Sequence, residues 1–200
     1  MNSARPEMID AVYDISGELI PANYHYALWD ALVRHVPALA EDTLVGVIPL
    51  RTSSSEAGML LPRRSKLVLR LTPSLANDFE NLSGQRLDIG SCTLQLGSGK
   101  LRKIQSYPTL HAHLVTGCED EVTFLQDVTT RLAELGIVGN LLCGMRNSTQ
   151  AGNRLIHGYS LVIHDLKPED SLLLQYTGLG ADRRYGCGIF IPYKVITDLN

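Results

Sequence analysis

Apolar and polar positions alternate from Met8 to Ile15, which predicts a strand. Gly17 and Pro21 punctuate its end, and Asn23 stands as the N-cap of a helix running to about Val36. Leu28, Ala31, Leu32 and Val36 recur at helical spacing, and Pro37 closes the segment because the residue before a proline is pushed out of the helical region. Leu44 to Leu50 predicts a short apolar strand. A polar loop follows from Arg51 to Arg64, then a strand from Lys66 to Leu71 with Leu67, Leu69 and Leu71 on one face. Thr72-Pro73-Ser74 opens a helix, with proline in the first turn where a missing N–H is harmless, and Gly84 ends it. Strands over Arg86 to Ile89 and Cys92 to Leu96 complete the order strand–helix–strand–strand–helix–strand.

The second half repeats that order. Leu110 to Val115 predicts a strand. Glu119 to Leu135 predicts a helix with Val122, Leu125, Val128, Leu132 and Leu135 as its apolar stripe and Gly136 as its stop. Leu141 to Arg146 and Leu155 to Ile163 predict a hairpin around the polar loop Asn147 to Asn153. Lys167-Pro168-Glu169-Asp170 opens a short helix to about Tyr176, and Gly188 to Ile191 predicts a last strand. Each half has the ferredoxin-like order, in which helices cover one face of an antiparallel sheet, so the expected class is α+β with tandem halves over 1–99 and 100–200.

Composition adds exclusions. With 44% hydrophobic and 20% charged residues in 200, the chain has enough apolar surface for a core and too little net charge for disorder. No apolar run reaches the length of a membrane span, and the N-terminal residues lack the apolar stretch of a secretory signal, so a cytoplasmic location without membrane association is expected. Cys92, Cys118, Cys143 and Cys187 form no C-x-x-C pair, and His111 and His113, which share a strand face, have no cysteine or carboxylate pattern to complete a metal site. No metal or cofactor is expected.

The net charge of −3 argues against a nucleic-acid partner only as an average. Residues 1–50 carry seven acids against Arg5 and Arg34, a balance of −5. Residues 51–118 carry nine basic residues against four acids, a balance of +5. Segregated charge of this kind suits one-faced binding of a polyanion.

The most specific stretch runs from Thr177 to Pro192. Gly178, Gly180, Gly186 and Gly188 surround Arg183 and Arg184, with no G-x-G-x-x-G or G-K-S/T pattern. Glycines allow close backbone approach, successive N–H groups can face an anion, and arginines supply a charged fork. Gly178-Leu179-Gly180 through Arg183-Arg184-Tyr185-Gly186-Cys187-Gly188-Ile189-Phe190 resembles the C-terminal glycine-rich motif of the RAMP superfamily. More closely, it is similar to the CRISPR repeat-RNA endoribonucleases of the Cas six family, in the compact MYXAN-type branch. Leu19-Ile20-Pro21-Ala22, Tyr26-Ala27-Leu28, Val45 to Arg51, Ser65 to Leu71, Gly158-Tyr159-Ser160-Leu161 and Asp170-Ser171-Leu172 match in the same order, from about residue 8 to 192.

The resemblance implies tandem ferredoxin-like (RRM-like) RAMP halves and a chain that binds the hairpin repeat of a CRISPR precursor. It implies metal-independent cleavage by 2′-OH attack and retention of the mature guide RNA in the effector complex beside its backbone RAMP subunit. Six histidines are present: His25, His35, His111, His113, His157 and His164. In relatives the catalytic histidine lies on or just after the first helix, which points to His35 or His25. Related sequences often carry further histidines where this chain has Ala40 and Ile48.

RNA contacts are expected from Arg51, Arg63, Arg64 and Lys66, with Arg70 beside them, and from Lys100, Arg102 and Lys103 between the halves. Arg146, Ser148 and Arg154 around the acid-free polar loop, and the motif residues Gly178, Gly180, Arg183, Arg184, Gly186 and Gly188, complete the set. Tyr107, Tyr185 and Tyr193 can stack on bases. Two alternatives stay open: a catalytically weak or inactive RAMP-type RNA-binding subunit of the same complex, and a metabolic or regulatory module on the same fold, for which no carboxylate or cysteine chemistry is visible.

Overall fold

Strand β1 (Ile9–Ser16) buries Ala11, Tyr13 and Ile15 on one face and turns Asp10, Val12 and Asp14 to the other. A strand apolar on one side needs a layer above it, and α1 (Tyr24–His35) supplies that layer with Leu28, Ala31 and Leu32. The computed structural model describes residues 7–56 and 58–193. Between β1 and α1 lies β2 (Leu19–Ile20). After α1 come β3 (Gly46–Ile48), β4 (Ser53–Ser55), β5 (Gly58–Leu60), β6 (Lys66–Leu71), β7 (Arg86–Ile89) and β8 (Cys92–Lys103). The five-stranded antiparallel sheet has the order β3-β6-β1-β8-β7, which is the ferredoxin-like order with β7 added at the edge. β4 and β5 join β2 in a small separate sheet, so the stretch Arg51 to Arg64, expected as a loop, contains a hairpin.

The helix expected from Thr72 to Gly84 is instead a run of 3₁₀ turns, Leu75–Leu82. Ala76, Phe79 and Leu82 recur every third residue, the spacing that a three-residue turn stacks on one side. Asn77, Asp78 and Asn81 also compete for backbone hydrogen bonds and weaken an α-helix. The Phe79 carbonyl accepts the Tyr13 hydroxyl at 2.6 Å, which ties this segment to the central strand.

On the other face of β1, Asp10 is opposite Arg70 of β6 and Arg102 of β8. Arg70 Nε donates to Asp10 Oδ1 at 2.9 Å, and both side chains are at least 95% buried. Arg102, largely exposed, adds a contact of 3.3 Å to Oδ2.

A second sheet has the order β10-β11-β9-β12, built from β9 (Leu110–Thr116), β10 (Asn140–Ala151), β11 (Arg154–His164) and β12 (Ile191–Pro192). Helices α2 (Glu121–Leu135) and α3 (Pro168–Thr177) contribute to its core through Phe124, Val128, Leu132 and Leu174. Asp120 caps α2 by accepting the Thr123 N–H at 2.8 Å, and Gly136 ends it with φ 72°. Phe124 takes the core position expected of Val122, which is 64% exposed. Of the expected polar loop Asn147 to Asn153, all but the turn at Gly152-Asn153 is strand. The last strand is confined to Ile191–Pro192, because the Gly188 N–H bonds to the Leu114 carbonyl from a positive φ that a regular ladder does not accept.

Two compact units emerge. Among the described residues, the first holds those up to Ile104 with Thr149–Ile156 and Asp182–Gly186. The second holds Gln105–Ser148, His157–Ala181 and those from Cys187 onward. No helix among the described residues is long and apolar enough to cross a membrane.

Arg70→Met strands the Asp10 carboxylate in the sheet and is expected to cost about 3–5 kcal/mol. Arg102→Met, removing a mostly exposed partner, costs less than about 1 kcal/mol. Urea midpoints by far-UV circular dichroism measure both.

Candidate nucleic-acid interface

Helix α1 sets the geometry of the first unit's candidate site. Tyr24, buried at its start, accepts the Leu50 N–H at 2.8 Å. Burial pushes its hydroxyl pKa up to about 12, with that hydrogen bond acting against the rise. His25 stacks on Tyr24, ring centroids 4.0 Å apart and planes at 26°. Four residues on, and therefore on the same helix face, Trp29 lies under the Arg184 guanidinium at 5.8 Å. Tyr185 is 6.2 Å from Tyr26 and 6.0 Å from Arg184. The N-terminal half of α1 thus carries His25, two tyrosines and a tryptophan, and the exposed Arg184 of the 183–185 turn lies over that tryptophan.

Those motif residues form a 3₁₀ turn, Arg183–Tyr185, bounded by Asp182 and Gly186, both at positive φ. Asp182 is held by Arg154 at 3.0 Å. A Cβ on Gly186 would lie 2.9 Å from Pro49 Cγ, so only glycine brings the turn this close to β3.

Arg183 departs from the expected exposed fork. It is 93% buried, and its Nε donates to the Leu44 carbonyl at 3.0 Å. The Leu44 N–H in turn donates to Asp42 at 2.8 Å, as does the Thr72 hydroxyl at 2.6 Å. The two terminal nitrogens of Arg183 are buried without a hydrogen-bond partner. Burial, reinforced by the Arg70 charge, lowers its pKa to about 10.

The motif glycines hold backbone to backbone, Gly186 within the first unit and the others within the second. The Gly188 N–H donates to Leu114 at 2.7 Å, and its carbonyl accepts Leu179 at 3.1 Å. A Cβ there would lie 2.0 Å from the Leu179 oxygen. The Gly178 and Gly186 N–H groups are also engaged, with Leu174 and Arg183 carbonyls. Gly180 sits against Thr116, whose hydroxyl accepts the Ala181 N–H at 2.8 Å. Three of the four glycine N–H groups therefore serve the loop's own shape.

The remaining basic residues divide in two. Lys66 pairs with Asp14 and, with Lys100, lowers that carboxyl's pKa. Arg102 is on Asp10, and Arg146 is 2.9 Å from Glu119. Arg51, Arg63, Arg64 and Lys103 are exposed, and none pairs with a carboxylate among the described residues. Ser148 is exposed on β10 in the second unit, whereas Arg154 belongs to the first.

His35 is exposed in the last turn of α1, its Nε2 3.3 Å from the Arg86 carbonyl. Ten residues along one helix separate it from His25 by about 15 Å, too far for both to serve one phosphate. The sequence reading missed Trp29, whose i+4 spacing from His25 was the available signal. It also missed Asp42 and Asp182, whose side-chain partners Thr72 and Arg154 are about thirty residues away. Among the described residues no cluster of three or more histidine, cysteine or carboxylate side chains could hold a metal.

The family model described as Cas6 Crispr matches residues 9–195. The chain belongs to the Cas6 family. A curated relative, the CRISPR-associated endonuclease Cas6 of Myxococcus xanthus strain DK1622, is 32% identical over 186 residues, covering 92% of this chain and 81% of the relative. Solved structures give the same fold. The product of a Cas6-related gene from Pyrococcus furiosus superposes with a TM-score of 0.68 at 13% identity, over 92% of this chain and 98% of that one. A CRISPR endoribonuclease Cse3 bound to a 19-nucleotide RNA gives 0.54 at 14%, over 92% and 98%. These likenesses and the strand order agree on an α+β, ferredoxin-like fold for the Cas6 chain.

Arg184 and Arg183 separate experimentally. Arg184→Ala is expected to weaken RNA binding several-fold and to reduce the slope of log affinity against log salt by about one, the loss of one phosphate contact. Arg183→Met leaves that slope unchanged. Filter binding between 50 and 300 mM salt distinguishes them.

Proposed function

We propose that this Cas6 chain processes CRISPR precursor RNA: it binds the repeat hairpin and cuts it without a metal. The observation that carries the reading is the position of His25 one helical turn before Trp29, the ring over which Arg184 lies, on α1 of a chain of this family. The ribose 2′-oxygen attacks the adjacent phosphorus while losing its proton. The bond to the 5′-oxygen breaks, and that oxygen takes up a proton. A 2′,3′-cyclic phosphate and a 5′-hydroxyl result, with no water consumed.

Histidine suits either proton transfer near neutral pH, and a cation beside the phosphorane stabilises the charge that builds there. His25 is assigned the proton transfer and Arg184 the charge. His35, at the far end of the helix beside Arg86, is assigned no chemical step. Arg51, Arg63, Arg64 and Lys103 extend the electrostatic footprint, and Lys66, Lys100, Arg102, Arg146 and Arg154 join it where RNA phosphate displaces or shares their carboxylates. After cleavage the protein stays on the mature guide RNA, in the cytoplasm, as a subunit beside the backbone RAMP subunit of the effector complex. The absence of histidine at Ala40 and Ile48, with the separation of His25 from His35, favours a second reading: a binding subunit that cuts slowly or not at all.

Incubation with the cognate repeat in EDTA is expected to give one cut with a cyclic phosphate end. His25→Ala lowers the single-turnover rate by about 10²–10⁴ with affinity retained, while His35→Ala stays within a few-fold of wild type. Tight binding of intact RNA by the wild type would establish the second reading instead. Full activity in His25→Ala would remove His25 from the chemistry.

A further inference from the structure

The face of the second sheet opposite its helices carries rings that the proposed cleavage does not use. β9 and β11 are its central strands, and β12 lies beyond β9. His111 of β9 is paired on both sides, with Val162 and with Ile191, so its backbone is held within the sheet. Its imidazole lies 5.8 Å from the Tyr193 ring at 53°. At that tilt neither ring covers the other's face. Tyr193 is 47% exposed, and His113, two residues along the same strand and on the same side, is exposed too. The Asn147 side chain donates to the His113 carbonyl at 3.0 Å and fixes the backbone there.

Outward positions of the strands around His111 are Ser160, Val162, His164 and Ile191, none of them a carboxylate. Burial, with the neighbouring His113, holds the His111 imidazole below the ordinary histidine range, so the ring is uncharged at neutral pH.

We propose that this face is a stacking platform for unpaired nucleotides of the RNA, with His111 and Tyr193 as the rings that receive the bases. A nearly acid-free surface with one exposed ring, Tyr193, and one half-buried ring, His111, both anchored through their backbone, suits flat bases flanked by phosphates. The assignment rests on the repeat-RNA reading for the identity of the RNA, and on the sheet alone for the stacking.

The test uses the full chain and two RNAs: the repeat hairpin with 2-aminopurine in its single-stranded flank, and an unstructured oligonucleotide of unrelated sequence with the same base. Stacking is expected to quench the 2-aminopurine in the flank. His111→Ala and Tyr193→Ala each weaken binding of the flanked repeat about tenfold and relieve the quenching, with the salt slope unchanged. Tyr193→Phe and His111→Phe, which keep a ring, restore both signals, and thermal melting of each variant checks the fold.

Alanine variants that bind and quench like wild type overturn the platform. A shallower salt slope overturns it as well, since that marks a lost phosphate contact, as does a Tyr193→Phe variant as weak as the alanine. If wild type quenches and binds both RNAs equally and cuts neither, the repeat-processing reading fails while the platform stands. If wild type binds neither, both fall.

Discussion

A carboxylate has been placed inside a β-sheet, and most of the first unit is arranged around that fact. Asp10 sits on the middle strand with almost no access to water, where a bare charge would be costly enough to unfold the sheet. Arg70 and Arg102 answer it from the two flanking strands. Because residues alternate faces along a strand, a slip of one position in either neighbour would carry its arginine to the wrong side. The ion triad therefore specifies register for β6, β1 and β8 together, and with it the height at which α1 crosses the core. Where α1 lies decides where Trp29 meets Arg184, and His25 is carried on the same helix one turn earlier.

That placement changes how the basic residues are read. A sequence displays charge without its counter-charge. Lys66, Arg102, Arg146 and Arg154 each have a carboxylate within contact distance, so the surplus toward a polyanion is concentrated on Arg51, Arg63, Arg64, Lys103 and Arg184. Several of the paired acids come from stretches whose pattern did not single them out, such as Asp14 on β1 and Glu119 at the expected start of α2. The same sequence excess of +5 over residues 51–118 is thus partly spent within the fold.

The architecture was legible because its cues are local. Two-residue alternation marked β1, β6 and β9, and Gly136 and Pro37 marked helix ends that occur within a residue of where they were expected. What escaped was set by partners distant in sequence. The Leu75–Leu82 turns owe their form partly to Tyr13, and the β4–β5 hairpin gains a third strand only from β2, more than thirty residues earlier. The glycine-rich motif was visible as a motif but not in its division of labour. Which of two adjacent arginines turns inward depends on Leu44, about 140 positions earlier in the chain, and no reading of Arg183-Arg184 alone could separate them.

The inward arginine has one further consequence. Its guanidinium makes a single bond, to Leu44, while two nitrogens lie buried with nothing to accept from them. Detaching the 183–185 turn returns those groups to water, so the desolvation cost is recovered and offsets much of what the contacts supply. The turn is therefore held less firmly than its contacts alone would give. Its amides exchange with solvent through a small excursion of this segment, far below the free energy needed to melt the sheet that Asp10 holds together.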